Sequence, residues 1–208
     1  MRPRHMTRTH GKRYFHMVRK NAPFQLEVGQ TLFFGFDNPN SFYHTLLARY
    51  SLVDPTEELE KLEEVAKDPK AWRLAREDFL TQVKKITNGV ILQSMMVREL
   101  VFERVRAEKF PSKPSRYYGI WLLPTIQSAA KWRNDGFTGA RLFEVILYGK
   151  AHISYPQHLK SDARYSIARL QRLAFQYWES LPPEGRGVRR EILAEGSIEV
   201  VREIGEKI

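Results

Sequence analysis

The chain contains no cysteine. Disulfides, thiolate metal centres and a cysteine nucleophile are therefore excluded, although this absence does not identify a compartment. Long apolar runs are also missing: none approaches the ~18 to 20 residues that a membrane-spanning helix needs. Met1 to Lys20 is broken by histidine, arginine and lysine and has no apolar centre of the kind a signal peptide carries. These features predict a cytoplasmic protein with no membrane partner. No glycine-rich phosphate loop and no regular alternation of strand and helix patterns occur, which argues against a doubly wound α/β fold. Acidic residues are absent ahead of Glu27, whereas Arg2, Arg4, Arg8, Lys12, Arg13, Arg19 and Lys20 all precede it.

What is present is enough for one full core. With 208 residues and 42% hydrophobic content the chain suits a single domain with room for one insertion. The net charge of +10 is reinforced by a second basic cluster, Arg98, Arg104, Arg106, Lys109, Lys113 and Arg116. Such a field attracts polyanions, so nucleic acid is a physically reasonable partner or substrate. An acidic protein partner is the other reading of the same charge.

Hydrophobic periodicity and turn signals divide the chain into a flexible basic arm over 1–12 and one domain over 13–208, with a helical insertion at about 55–110. Strands are expected at Tyr14 to Val18 and Thr31 to Phe36. Asp54 and Pro55 read as the cap and first turn of a helix using Leu59, Leu62 and Val65. A second helix through Trp72, Leu74 and Phe79 is expected to stop near Asn88-Gly89, and a third to span Ile91 to Phe110. Glu57, Glu58, Glu60, Glu63 and Glu64 read as a solvated face, and no metal site is expected. Beyond the Pro111 to Arg116 loop come a strand over Tyr117 to Leu123, a short helix over Ile126 to Trp132 and a strand over Arg141 to Tyr148. A long amphipathic helix over His158 to Leu181 follows, then strands over Arg190 to Ala194 and Ile198 to Glu203, separated by Glu195-Gly196-Ser197. Strands at both ends with helices between them predict an α+β fold.

Three separated segments carry the chemistry: Phe15-His16-Met17-Val18-Arg19, Gly119-Ile120-Trp121 through Trp132, and Glu191 through Val200. Taken singly, His16 is a hydrogen-bonded histidine at a strand end, Trp121 and Trp132 are core aromatics, and Glu191 is a solvated carboxylate. In this order, they resemble the core of the ADP-ribosyltransferases, in the histidine-aromatic-glutamate type typified by poly-ADP-ribose polymerases. That family's first strand ends His-Gly-Ser-Arg, against His16-Met17-Val18-Arg19 here. Its Gly-Ile-Tyr-Phe-Ala segment is similar to Gly119-Ile120-Trp121-Leu122-Leu123, and Trp132 falls at the interval where the family has a stacking tyrosine. Trp121 replaces the family's tyrosine and Ala129 replaces a serine, with Ser128 one residue earlier. Tyr-His-x-x-Arg, Leu-x-x-Gly-Gln, Arg-Glu and Phe-Pro-x-x-Pro-Ser-Arg patterns of an uncharacterised bacterial group with this fold also resemble the segments around His16, Gly29, Glu99 and Arg116.

The resemblance implies a split β-sheet core with flanking helices. It implies NAD as co-substrate, without a metal, and Glu191, His16 and Trp121 as the catalytic residues. His16, Met17, Arg19, Gly119, Trp121, Ser128 and Trp132 would bind the dinucleotide. The expected activity is NAD-dependent ADP-ribosyl transfer to nucleic acid, RNA ahead of DNA, by a toxin or phage-defence effector with an antitoxin or regulatory partner. A protein side chain as acceptor, an RNA 2′-phosphotransferase and a non-enzymatic nucleic-acid-binding module remain open.

Overall fold

The computed structural model describes residues 11–20, 22, 25–38, 60, 63–64, 67, 76–134, 137–160, 162, 164–185 and 187–205. The basic arm up to residue 10, the capped helix begun by Asp54 and Pro55, and Glu57, Glu58, Trp72 and Leu74 lie outside them. Among the described residues, five strands and three long α-helices follow one another as β1 (Lys12–Val18), β2 (Thr31–Phe34), α1 (Arg76–Lys109), β3 (Ile120–Leu122), α2 (Ile126–Asn134), β4 (Arg141–Ser154), a 3₁₀ turn (Pro156–Leu159), α3 (Ile167–Trp178) and β5 (Glu191–Ile204). The fold is α+β.

Among the described residues every strand pair is antiparallel, in the order β1-β4-β5-β2, and β3 shares the outer edge of β5 with β2. β4 and β5 pair from Leu142 opposite Ile204 to Ser154 opposite Glu191, with one register shift between Glu144 and Val145. β1 covers only the first half of β4, and its Phe15 exchanges two backbone hydrogen bonds, of 2.9 and 2.7 Å, with Leu123 just beyond β3. The path β1-β4-β5-β3 thus returns on itself, and the ends of β1, β3 and β5 are drawn together.

The interior follows the alternation of the strands. Tyr14 and Val18 of β1, Phe143, Val145 and Leu147 of β4, and Ile192, Ala194, Ile198 and Val200 of β5 form one buried cluster. On another face Phe102 and Val105 of α1 pack with Ala174, Tyr177 and Trp178 of α3 and with Leu193. The Trp178 indole N–H donates to the Phe102 carbonyl at 2.8 Å, which fixes the crossing of the two helices.

Five sequence expectations are corrected. Lys12 belongs to β1, so the strand begins inside the expected arm. The chain does not break at Asn88-Gly89, because α1 runs through both as one 34-residue helix. A mid-helix glycine costs about 1 kcal/mol relative to alanine, and packing of α1 on α3 outweighs that penalty. α3 starts at Ile167 rather than His158, because the Ser166 hydroxyl caps it by accepting from the Arg169 amide. The two expected C-terminal strands are one, and β4 extends six residues past Tyr148. Gly149 lies opposite Gly196. A Cβ on Gly196 would approach the Tyr148 carbonyl to 2.4 Å, and one on Gly149 would approach that of Glu195 to 2.1 Å. Glycine here permits close strand contact instead of a turn.

Glu60, Glu63 and Glu64 are exposed, as a solvated face requires. No helix among the described residues is long and apolar enough to cross a membrane. Among those residues no three His, Asp or Glu side chains cluster as a metal site.

Candidate active site

A cavity of about 510 Å³ opens where β1, β3 and β5 converge under α1. Its walls are largely apolar, from Met17, Met95, Trp121, Leu122, Leu123, Trp132, Phe137, Pro156 and Leu159. Four titratable side chains interrupt them: His16, Arg98, Arg116 and Glu191. The volume falls in the range of small-molecule and cofactor sites, which are mostly apolar with few polar groups. His16, Met17, Trp121, Trp132 and Glu191, nominated from segments far apart in the chain, therefore share one wall system.

Glu191 is the first residue of β5 and only 5% exposed. Its register partner is Ser154, whose hydroxyl donates to Glu191 Oε1 at 3.3 Å. The Tyr177 hydroxyl donates to the same oxygen at 3.1 Å, and the Arg116 guanidinium lies 3.9 Å from it. Oε2 has no hydrogen-bond partner among the described residues, so one oxygen is anchored and the other is unpartnered. Burial pushes the Glu191 carboxyl above the ordinary carboxylate value, and Arg116, Tyr177 and Ser154 offset this only in part.

Arg116 is itself held from behind. It forms a two-point pair with Glu99 at 2.8 and 3.1 Å, and donates to the Tyr177 hydroxyl oxygen at 2.8 Å. With Arg116 donating into its lone pair, the single Tyr177 proton is directed to Glu191. Arg98 adds hydrogen bonds to Glu99 at 2.6 and 3.1 Å and to the Leu159 carbonyl at 2.6 Å. Burial opposes ionisation of Glu99, but the two arginines outweigh it and hold the carboxyl below its usual range. Two arginines and two ionised glutamates balance, so the buried network is neutral when Glu191 is a carboxylate. His152 supports it from the side: its Nε2–H donates to the Tyr177 carbonyl at 3.1 Å, and burial, with Lys113 nearby, lowers its pKa to about 4.

Also lining the cavity, His16 is half-buried, with Nδ1 2.9 Å from the Trp121 carbonyl oxygen. A carbonyl only accepts, so Nδ1 carries the proton and Nε2 is an acceptor. Burial holds the His16 pKa below its ordinary value and keeps the ring neutral at pH 7. The same hydrogen bond spans 105 residues of sequence and ties β1 to β3. Trp132 packs edge-on against Phe137 at 5.7 Å, and its indole N–H is buried without a hydrogen-bond partner among the described residues.

Three other nominated residues stand apart from this cavity. Arg19 is exposed and stacks on Phe137, 4.7 Å from the ring centre, which places it behind the cavity wall. Gly119 is a packing position: a Cβ there would meet Leu193, the Ser115 carbonyl and the Ala194 carbonyl at 2.8 to 2.9 Å. Ser128 bonds to Thr125 at the start of α2 and lines a second cavity, of about 170 Å³, with Thr125, Gln127, Lys131, Trp132, Val188, Arg189 and Arg190.

The whole of this architecture falls within one family. A model described as Protein of unknown function (DUF2441) matches residues 14–206. The chain belongs to that family. No curated protein matches it. The matched span takes in all of the DUF2441 member's cavity residues, from His16 to Glu191. Ser154 and Tyr177 were not singled out from the sequence, and Arg98, Glu99 and Arg116 entered only as parts of similar motifs, not as site residues. Those motif matches, and two adjacent opposite charges at Arg98-Glu99 inside a helix, were the available signals.

Proposed function

We propose that this protein is an NAD-dependent ADP-ribosyltransferase acting on nucleic acid, RNA ahead of DNA. On this reading the self-returning sheet is an ADP-ribosyltransferase-like core, and the enzyme is a cytoplasmic toxin or phage-defence effector held in check by an antitoxin. One observation carries the reading: His16, Trp121, Trp132 and Glu191 line a single cavity of about 510 Å³ in which the glutamate has one anchored oxygen and one free.

The residues suit the co-substrate. Trp121, Trp132 and Phe137 offer aromatic surface to a flat ring, the unpartnered Trp132 N–H offers a donor, and His16 Nε2 offers an acceptor to a ribose hydroxyl. NAD supplies a glycosidic bond whose nicotinamide leaves as a neutral molecule. As that bond breaks, positive charge develops on the ribose, and the Glu191 carboxylate lies in an apolar cavity where it stabilises that charge more than the ground state. Its free oxygen also receives a proton from a ribose hydroxyl or the attacking acceptor group. The products are ADP-ribosylated acceptor, nicotinamide and one proton. Hydrogen bonds from Tyr177 and Ser154 to Oε1 hold the carboxylate against rotation.

Incubation with labelled NAD, followed by separation and mass spectrometry of RNA, DNA and protein, tests the reading. An added mass of one ADP-ribose on RNA is the expected result. Label confined to protein removes the nucleic-acid acceptor, and absence of both label and free nicotinamide removes the transferase.

The pH dependence has a defined sign. Only ionised Glu191 stabilises the developing charge, so nicotinamide release falls on the acid side through a value above the ordinary 4.5. Tyr177→Phe removes a hydrogen bond that favours the carboxylate, and the acid limb of the rate profile then moves to higher pH. An acid limb that stays in place after this change dissociates the titrating group from Glu191.

A further inference from the structure

The second cavity is a third the volume of the first and shares Trp132 with it. Lys131, Arg189 and Arg190 line it, and among the described residues no acidic side chain does. Lys131 and Arg190 are exposed and form no ion pair among the described residues, while the Arg189 guanidinium sits over the Trp132 ring, 5.7 Å from its centre. The hydroxyls of Thr125 and Ser128, at the start of α2, complete the wall. Arg190 directly precedes Glu191, so this charge lies one residue from the carboxylate of the main cavity. A half-open recess with three cations, two hydroxyls and, among the described residues, no carboxylate has the donors a phosphate group requires.

We propose that this recess is a phosphate subsite, holding a phosphodiester of the acceptor strand while the adjoining group enters the main cavity. The inference rests on the nucleic-acid half of the reading above, and its test needs no turnover. Trp132, common to both walls, would separate the bound phosphate from the cleaved bond by the thickness of one ring. Specificity would then come from where the strand is gripped, since phosphate contacts fix register without reading sequence.

The test compares Lys131→Glu/Arg190→Glu with Lys84→Glu/Lys109→Glu, an equal change of charge at exposed positions on α1. Binding of a fluorescently labelled short single-stranded RNA is measured by anisotropy over a salt series. The recess variant is expected to bind at least tenfold more weakly at low salt than wild type and the α1 variant. Its plot of log affinity against log salt should flatten by about 0.7 for each phosphate that the variant no longer neutralises. Equal losses in both variants, or none in the recess variant, overturn the proposal. Calorimetric titration with NAD is the second arm: lost NAD binding with RNA binding intact assigns the recess to the co-substrate's phosphates and removes the acceptor subsite. If charge reversal lowers folding, Lys131→Gln/Arg190→Gln carries the same comparison. A chain that releases no nicotinamide yet shows the RNA loss retains the subsite and loses only the transferase.

Discussion

Replacing Glu191 by glutamine is expected to lower nicotinamide release by about 10²- to 10³-fold, the usual cost of removing one preorganised charge-stabilising group. Glutamine keeps an oxygen that accepts from Tyr177 and Ser154, so the change removes the negative charge and little else. Stability should move the other way. The folded-state pKa of Glu191 is raised, so its stabilising contribution is present below the unfolded value of 4.5 and is lost as pH rises through the folded value. Above the folded value the ionised side chain is therefore a net burden on the fold, and there Glu191→Gln should leave the melting temperature unchanged or raise it. Thermal melting and a nicotinamide assay on the same preparation check both halves. Full activity in the variant would falsify the assignment of Glu191. A large fall in melting temperature would instead show the carboxylate to be a structural member of the network.

The second large effect concerns Arg116. Its side chain is 3% exposed, and Glu99, which it pairs at two points, is 4% exposed. Arg116→Met fills similar space but leaves Glu99 with Arg98 as its only cation among the described residues and Tyr177 without the donor that orients its hydroxyl. Removing one partner of a buried pair costs about 3 to 5 kcal/mol, because the other charge stays buried without compensation. For a chain of this length that lowers the melting temperature by roughly 6 to 20 °C. Glu99→Met/Arg116→Met removes both charges, and its loss should be smaller than the sum of the two single losses. Additive losses would mean that the two residues do not act as a pair. Activity should fall further in Arg116→Met than in the double variant only if the stranded Glu99 charge disturbs Glu191.

The sequence by itself determined the fold class and the elements with strong local signals. Apolar strand runs around Tyr14, Phe143 and Ile192, the proline-rich loop after α1 and the short helix ending near Trp132 were legible because each depends on neighbours a few residues away. Element boundaries were less legible. Asn88-Gly89 has the composition of a helix stop, but α1 continues because contacts with α3, far along the chain, outweigh a local penalty of about 1 kcal/mol. Glu195-Gly196-Ser197 has the composition of a turn, yet Gly196 lies in mid-strand, opposite Gly149.

The candidate site divides in the same way. His16, Met17, Trp121, Trp132 and Glu191 could be nominated from ordered fragments, and all five line the cavity. Tertiary structure alone decided the rest. Register placed Ser154 opposite Glu191, the crossing of α3 over the sheet delivered Tyr177, and α1 and the following loop brought Glu99 and Arg116 behind them. These partners come from four elements and share no sequence spacing, because what unites them is the need to satisfy a carboxylate buried away from water. A one-dimensional pattern records which side chains can carry charge; only the folded chain determines which charges lose their water and must find one another.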